Sequence, residues 1–319
     1  MNDQKSDAAL TRSLLSTVAF FDLADFPLAL FEVYKWLWQP DRHYTLIEVD
    51  RALHDAVVTK TLARVDGFYC LPGRERIVQT RLARYQIAEK KFNVALRAAR
   101  VLRVVPFVRC IAVCNTVGYS NARTASDIDF FIIGRRGRLW LVRLLVTALA
   151  SLVGYRRHGR KITDRVCLSF YVADDALDLS TIALTPFDPY LVYWHLTLTP
   201  VYARSDTYDQ FCRANQWVYN FLPQATPVRA NYRRTIADYG ISTAMRSVGE
   251  WLLSGIFGVW CERFSQMLQM VKIHYHPAPA VRGERSVIVN SAMLKFHEVD
   301  RRAAFRAGWE TKRHELGLV

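Results

Sequence analysis

Two aspartates one residue apart, Asp127 and Asp129, open the run Asp-Ile-Asp-Phe-Phe-Ile-Ile. In an extended strand, residues two apart project to the same side, so the two carboxylates stand together while Ile128 turns into the core. Carboxylates side by side repel unless a cation bridges them. Mg2+ suits that role because it takes carboxylate oxygens and substrate phosphates together, and Mn2+ shares its preference for oxygen. A two-metal arrangement also activates an attacking hydroxyl and steadies a leaving pyrophosphate. Upstream, the apolar run Val108–Val113 leads into Asn115-Thr116, a turn whose amides and hydroxyl suit a triphosphate. Ser126 directly precedes the first aspartate, and Arg123 and Lys161 are the cations expected to neutralise phosphate charge.

Ten residues separate Thr116 from Asp127. A strand, a Gly-Ser turn, about ten residues and then Asp-x-Asp on the next strand form the signature of the DNA-polymerase-beta-like nucleotidyltransferases. The stretch from Asn115-Thr116 to Ser126-Asp-Ile-Asp129 resembles that signature, with Asn-Thr in the Gly-Ser place. Asn tolerates positive φ better than most residues, so the turn is expected to survive the exchange. Phe20-Phe-Asp-Leu-Ala-Asp-Phe-Pro27, Val105-Pro-Phe-Val108, Arg138-Leu-Trp140 and Lys295-Phe-His-x-x-Asp300 extend the likeness. With them the chain resembles a bacterial subgroup of the superfamily that carries a winged-helix-like N-terminal region. The resemblance implies transfer of a nucleoside monophosphate from a Mg-NTP to an acceptor: RNA, protein or a small molecule. It assigns Asp127 and Asp129 to the metal, and Asn115, Thr116, Ser126, Arg123 and Lys161 to the nucleotide. It also implies a third carboxylate, the natural general base, on the strand Val166–Val172. That strand has Ser169 at its centre, with Asp164 just before it and Asp174 just after. The competing readings are a degenerate nucleotide- or nucleic-acid-binding protein and, third, a winged-helix regulator.

These residues need a scaffold. The spacing of Leu10, Leu14, Val18 and Phe21 predicts a helix broken at Asp25-Phe26-Pro27, with Pro27 in the first turn of the next. Thr45 and Glu48 form a capping box for a third helix over 47–60. Two short strands around Asp66-Gly67 follow, then a basic helix over 74–103. Beyond it, the apolar runs Val108–Val113, Phe130–Ile133 and Val166–Val172 flank an apolar helix over 138–153, which argues for an α/β sheet. The expected organisation is a winged-helix-like region over 1–104, a mixed-sheet nucleotidyltransferase domain with flanking helices over 105–225, and a mostly helical domain over 226–319. In the last, the Trp-rich helical stripe from Ile241 to Val271 reads as core.

Charge narrows the partners. The 319 residues carry 43 Lys and Arg against 29 Asp and Glu, a formal +14. Residues 133–166 alone hold nine basic residues and one acid, and lie beside the paired aspartates in the chain. The candidate recognition helix is slightly acidic, with Glu48, Asp50 and Asp55, so DNA binding is not favoured. The most apolar stretch, Leu139–Tyr155, is interrupted by Arg143 and too short to span a bilayer, so no membrane partner is expected. Six cysteines without a CxxC, mostly in apolar runs, and a polar, acidic start suggest a cytoplasmic protein. His274-Tyr-His276 lacks companions for a zinc site, and His297 with Asp300 reads as a structural pair.

Overall fold

The computed structural model describes residues 2–229, 231–275, 287–296 and 300–318; His276 and His297 lie outside them. The N-terminal third consists of α1 (Asn2–Asp22), β1 (Leu28–Ala29), α2 (Leu30–Lys35), α3 (Leu46–Val58), β2 (Ala63–Val65), β3 (Phe68–Cys70) and α4 (Ile77–Leu102). The capping box forms as expected: the Glu48 amide donates to the Thr45 hydroxyl at 3.3 Å, and the Thr45 amide to the Glu48 carboxylate at 2.6 Å. Asp66 and Gly67 take positive φ of 49° and 80°, the pairing that lets a two-residue turn follow strand twist. Pro27 does not start a helix. Leu28 and Ala29 pair with Tyr69 and Phe68 as the third strand of a small antiparallel sheet, and α2 begins only at Leu30.

The centre is a six-stranded mixed sheet. Its elements are β4 (Val108–Val113), the one-turn α5 (Asn115–Gly118), β5 (Ile128–Gly134), α6 (Leu139–Leu152), β6 (Val166–Ala173), α7 (Pro189–Thr197), β7 (Thr199–Ala203) and α8 (Thr207–Ala214). The C-terminal third adds α9 (Gly240–Leu252), α10 (Ile256–Tyr275), β8 (Val287–Val289), β9 (Met293–Phe296) and α11 (Arg302–Glu315). Strand order is β7-β4-β5-β6-β9-β8, with β5 and β6 parallel and the other neighbours antiparallel. The parallel pair is joined through α6, as a crossover requires. Alternation sorts the side chains: Ile128, Phe130 and Ile132 pack with α4 and α6, while Phe131 and Ile133 face α7 and α8.

Two expectations are corrected by the C-terminal third. Residues 226–319 are not a separate helical unit, because β8 and β9 extend the central sheet and Trp309 of α11 is buried in the N-terminal core. The stripe from Ile241 to Val271 is not core either. It is divided by a turn at 253–255 into α9 and α10, and Met245, Val248, Trp251, Ile256, Phe257, Trp260 and Phe264 all stand exposed. Among the described residues, no helix is long and apolar enough to cross a membrane.

Candidate active site

β4 ends at Val113, and the chain turns through Asn115 at φ 54° into α5. Asparagine accepts that conformation, and its side chain has fixed partners. Its Oδ1 accepts from Trp194 Nε1 at 3.0 Å, and the amide also bonds the Asp129 carboxylate. The neighbouring strand β5 starts beside it, with the Cys114 amide donating to the Asp129 carbonyl at 3.0 Å. Asp127 and Asp129 therefore share one face at the start of β5, next to the turn that follows β4.

A cavity of about 570 Å³ opens at this corner. Asn115, Thr116, Arg123, Ser126, Asp127 and Asp129 all line it, so six of the seven residues expected at the site converge. Lys161 is the exception. It sits in an exposed turn, exchanging backbone hydrogen bonds with His158. The cation that reaches the aspartates from that loop is Arg157, whose guanidinium donates to Asp127 Oδ2 at 2.6 Å. Backbone pairing aims it: the Arg157 amide bonds the Val166 carbonyl at 3.0 Å, which holds this part of the loop along the start of β6.

Among the described residues, the third group beside the pair is a thiol. Asp129 lies in register with Cys167 on β6, and one ligand atom each from Asp127, Asp129 and Cys167 falls within 4.8 Å of the others. Burial, followed by the nearby Asp129 charge, pushes the Cys167 thiol up to about 12, so it stays protonated and suits a hard ion poorly. Neither flanking acid replaces the expected carboxylate. Asp164 pairs with Lys91 Nζ at 2.6 Å, and Asp174 lies at the far end of β6, accepting from the Arg136 amide at 2.7 Å. Burial first, then repulsion from Asp127, raises Asp129 to about 6, against the lowering effects of Asn115, Cys167 and Arg157. The corner therefore favours an added cation beside the two carboxylates.

The loop between α5 and β5 is held from outside the sheet. Buried Lys91 on α4 donates to the carbonyls of Thr124 at 2.9 Å and Ser126 at 2.8 Å, besides its pair with Asp164. Asn121 Nδ2 bonds the Ala24 carbonyl at 2.9 Å, and Arg84 reaches both that carbonyl and Asp25. The Phe20–Pro27 motif thus forms a wall of the cavity. Lys295, Asp300 and Arg302 also line the cavity, and there Asp300 bonds Arg302 at 2.6 Å and pairs with Lys295 at 3.5 Å. Although burial opposes it, these cations hold the Asp300 carboxyl down at about 2. Sequence reasoning singled out the Lys295–Asp300 stretch but missed Lys91 and Trp194. Compared with known proteins, the chain matches no family model, no curated protein and no solved structure at a significant level.

Proposed function

We propose that this corner is a nucleotidyltransfer site that moves a nucleoside monophosphate from an NTP to an acceptor. The observation that carries the reading is the meeting of Asp127 and Asp129 with the Asn115-Thr116 turn at one mouth of the sheet, inside a cavity of about 570 Å³. The oxygen donors fit Mg2+ or Mn2+: Asp127 and Asp129 would hold the ion, and triphosphate oxygens would supply the remaining hard ligands. A bound ion supplies charge neutralisation for the phosphates and leaving pyrophosphate. The chain's own groups do the positioning. Thr116 and Ser126 offer hydroxyls, Arg123 lines the mouth, and Arg157 can turn from Asp127 to a phosphate once a metal takes its place.

The N-terminal three helices and three-stranded sheet support a winged-helix-like reading in which the unit serves as a wall of the cavity. Its α3 carries Glu48, Asp50 and Asp55, a poor face for DNA phosphates. All six cysteines are unpaired, which suits a reducing compartment, and we place the activity in the cytoplasm.

Incubation with each α-labelled NTP and Mg2+ or Mn2+ over a broad acceptor screen tests the reading. Label transfer is expected, and Asp127→Asn should cut it by at least about 100-fold, the loss typical when one electrostatic stabiliser is removed. Transfer that the substitution leaves unchanged sinks the mechanism. Binding of Mg-NTP with no transfer to any acceptor assigns the corner to nucleotide binding alone.

A further inference from the structure

The helices α9 and α10 are mounted with their polar sides inward. On α9, Ser242, Arg246 and Glu250 recur at i+4 and face the protein. Arg246 is buried, with hydrogen bonds to Asp238 at 2.8 Å and to the Tyr202 hydroxyl at 2.5 Å. Glu250 accepts from Arg204 at 2.7 Å and from the Phe107 amide at 3.1 Å. On α10, Glu262 accepts from the amides of Trp140 and Leu141 at 3.0 and 2.8 Å, capping the first turn of α6. Buried Gln269 donates to the Trp140 carbonyl at 2.9 Å. These specific partners fix the rotation of each helix, so the outward face of the apolar stripe is a consequence of its polar bonds.

What that rotation leaves outside is large. Around the turn between the helices, Trp251 is 75% exposed, Ile256 79%, Phe257 66% and Trp260 67%. An aromatic side chain carries roughly 150–250 Å², so Trp251, Phe257, Trp260 and Phe264 alone present about 500 Å². That matches the largest patch usual on a whole monomer before Leu252, Met267 or Val271 is added. Between Arg246 and Glu262 the single charged residue is Glu250, which is turned inward.

The exposed charge on the helix pair itself has one sign. The exposed charged residues of the pair are Arg263 and Lys272, since both acids of the segment, Glu250 and Glu262, are spent on internal partners. Beside the turn, Arg138 bonds the carbonyls of Leu253 and Ser254, which brings exposed Arg135 near the same end, while its neighbour Arg136 is paired with Asp175 at 3.2 Å. Just ahead of α9, Arg233 and Asp238 both stand exposed, and Asp238 is paired with Arg246 at 2.8 Å. A second copy seated on this face in a two-fold arrangement would set these cations against their own counterparts, with no exposed acid on either pair to answer them. A negatively charged apolar surface answers both features.

We propose that the α9–α10 pair is an interfacial contact for an anionic lipid bilayer, with Trp251, Leu252, Ile256, Phe257 and Trp260 entering below the headgroups and the flanking cations meeting lipid phosphates. Helices with an apolar face and a basic margin lie in the interface plane, and such a contact needs no spanning helix. The site is separate from the aspartate corner and stands whether or not nucleotide is transferred.

Co-sedimentation of the full chain with vesicles tests it, using phosphatidylcholine alone and phosphatidylcholine mixed with phosphatidylglycerol, at low and high salt. The protein should pellet with the anionic vesicles and be released by salt. The double substitution Trp251→Gln with Trp260→Gln should lower partition about tenfold or more, because two inserted rings are lost. Arg263→Glu with Lys272→Glu should lower it several-fold and flatten the salt dependence. Brominated acyl chains should quench the unmodified protein, a readout that requires no variant to fold. Protein that stays in the supernatant with anionic vesicles overturns the proposal. So does equal, salt-independent binding to phosphatidylcholine alone, or a dimer in sedimentation equilibrium that the tryptophan substitutions disperse.

Discussion

The mouth of the sheet at β4–β5 and the helix pair α9–α10 both turn polar side chains inward, with opposite results outside. At the mouth, Asn115, Asn121, Asp127 and Lys91 converge from three segments and find partners in Trp194, in the Ala24 carbonyl, in Arg157, and in the Thr124 and Ser126 carbonyls. The space left over is a polar cavity. On α9–α10, Arg246, Glu250, Glu262 and Gln269 also find internal partners, yet the surface left over is apolar. Burial here follows hydrogen-bond satisfaction before it follows hydropathy, since an unmet buried polar group costs more than an exposed hydrophobe. The mouth is thus braced by its own polar groups, whereas the helix pair draws little of its fold stability from the apolar side chains it displays.

The brace can be broken most directly at Lys91. Its ammonium satisfies two carbonyls of the segment before Asp127 and the carboxylate of Asp164. Asp164 is more than half exposed, so its charge returns to water when the partner is removed, whereas the Thr124 and Ser126 carbonyls lose a donor that is itself buried. Lys91→Met should therefore destabilise the protein by about 3 kcal/mol, mainly through two unmet acceptors. For a chain of this length that is a Tm fall of roughly 4–5 °C by calorimetry. A fall below about 2 °C would mean the segment is held by other contacts and would remove the contrast with the helix pair.

A buried group between these extremes is His195 on α7. It packs against the Phe211 ring at 4.9 Å, its Nδ1 meets no partner among the described residues, and burial lowers it from 6.5 to about 4. The folded protein keeps this imidazole neutral while the unfolded chain protonates it. Stability is therefore intact above pH 6.5 and is lost as the pH falls towards 4. At pH 5 the loss should reach about 2 kcal/mol. Urea unfolding of wild type and His195→Gln at pH 7.5 and 5 isolates it, because carboxylates such as the raised Asp129 titrate alike in both proteins. Equal acid losses in the two proteins would show that the site around His195 is wetter than its packing.

Much of this was legible in the sequence where local physics decides. The apolar run Val108–Val113 reads as strand and forms β4, and Thr45 with Glu48 cap α3 because the reciprocal bond depends on spacing alone. The pairing of Asp127 and Asp129 follows from strand alternation in the same way. What remained hidden was set by contacts between distant segments. Arg157 and Lys161 share a loop and a charge, and pairing of the Arg157 backbone with Val166 decides which one reaches Asp127. Lys91 sits beside Lys90, with no local sign that one is buried under a loop more than thirty residues later. After Pro27, Leu28 and Ala29 pair with Tyr69 and Phe68 of β3, which overrides the preference of proline for a first helical turn. On α9 and α10 the period of the apolar stripe was plain, but a period defines a face without saying which way it points.

That last point has the smallest and most discriminating consequence. If the stripe faces water, Trp251 and Trp260 are exposed in the folded and unfolded chain alike, and replacing them changes little in the free energy between the two. Trp251→Gln and Trp260→Gln should each shift unfolding by no more than about 0.5 kcal/mol, the range of ordinary surface substitutions. Glutamine also keeps good helix propensity, so no backbone penalty obscures the reading. A tryptophan truncated in a packed core costs about 3–5 kcal/mol, so the two cases are well separated by chemical denaturation in dilute buffer. A loss above about 2 kcal/mol would place these rings in an interior, against this chain or another copy, and the contrast between the two regions would collapse. A small loss leaves the apolar face unexplained by folding, which is the condition under which an external surface must account for it.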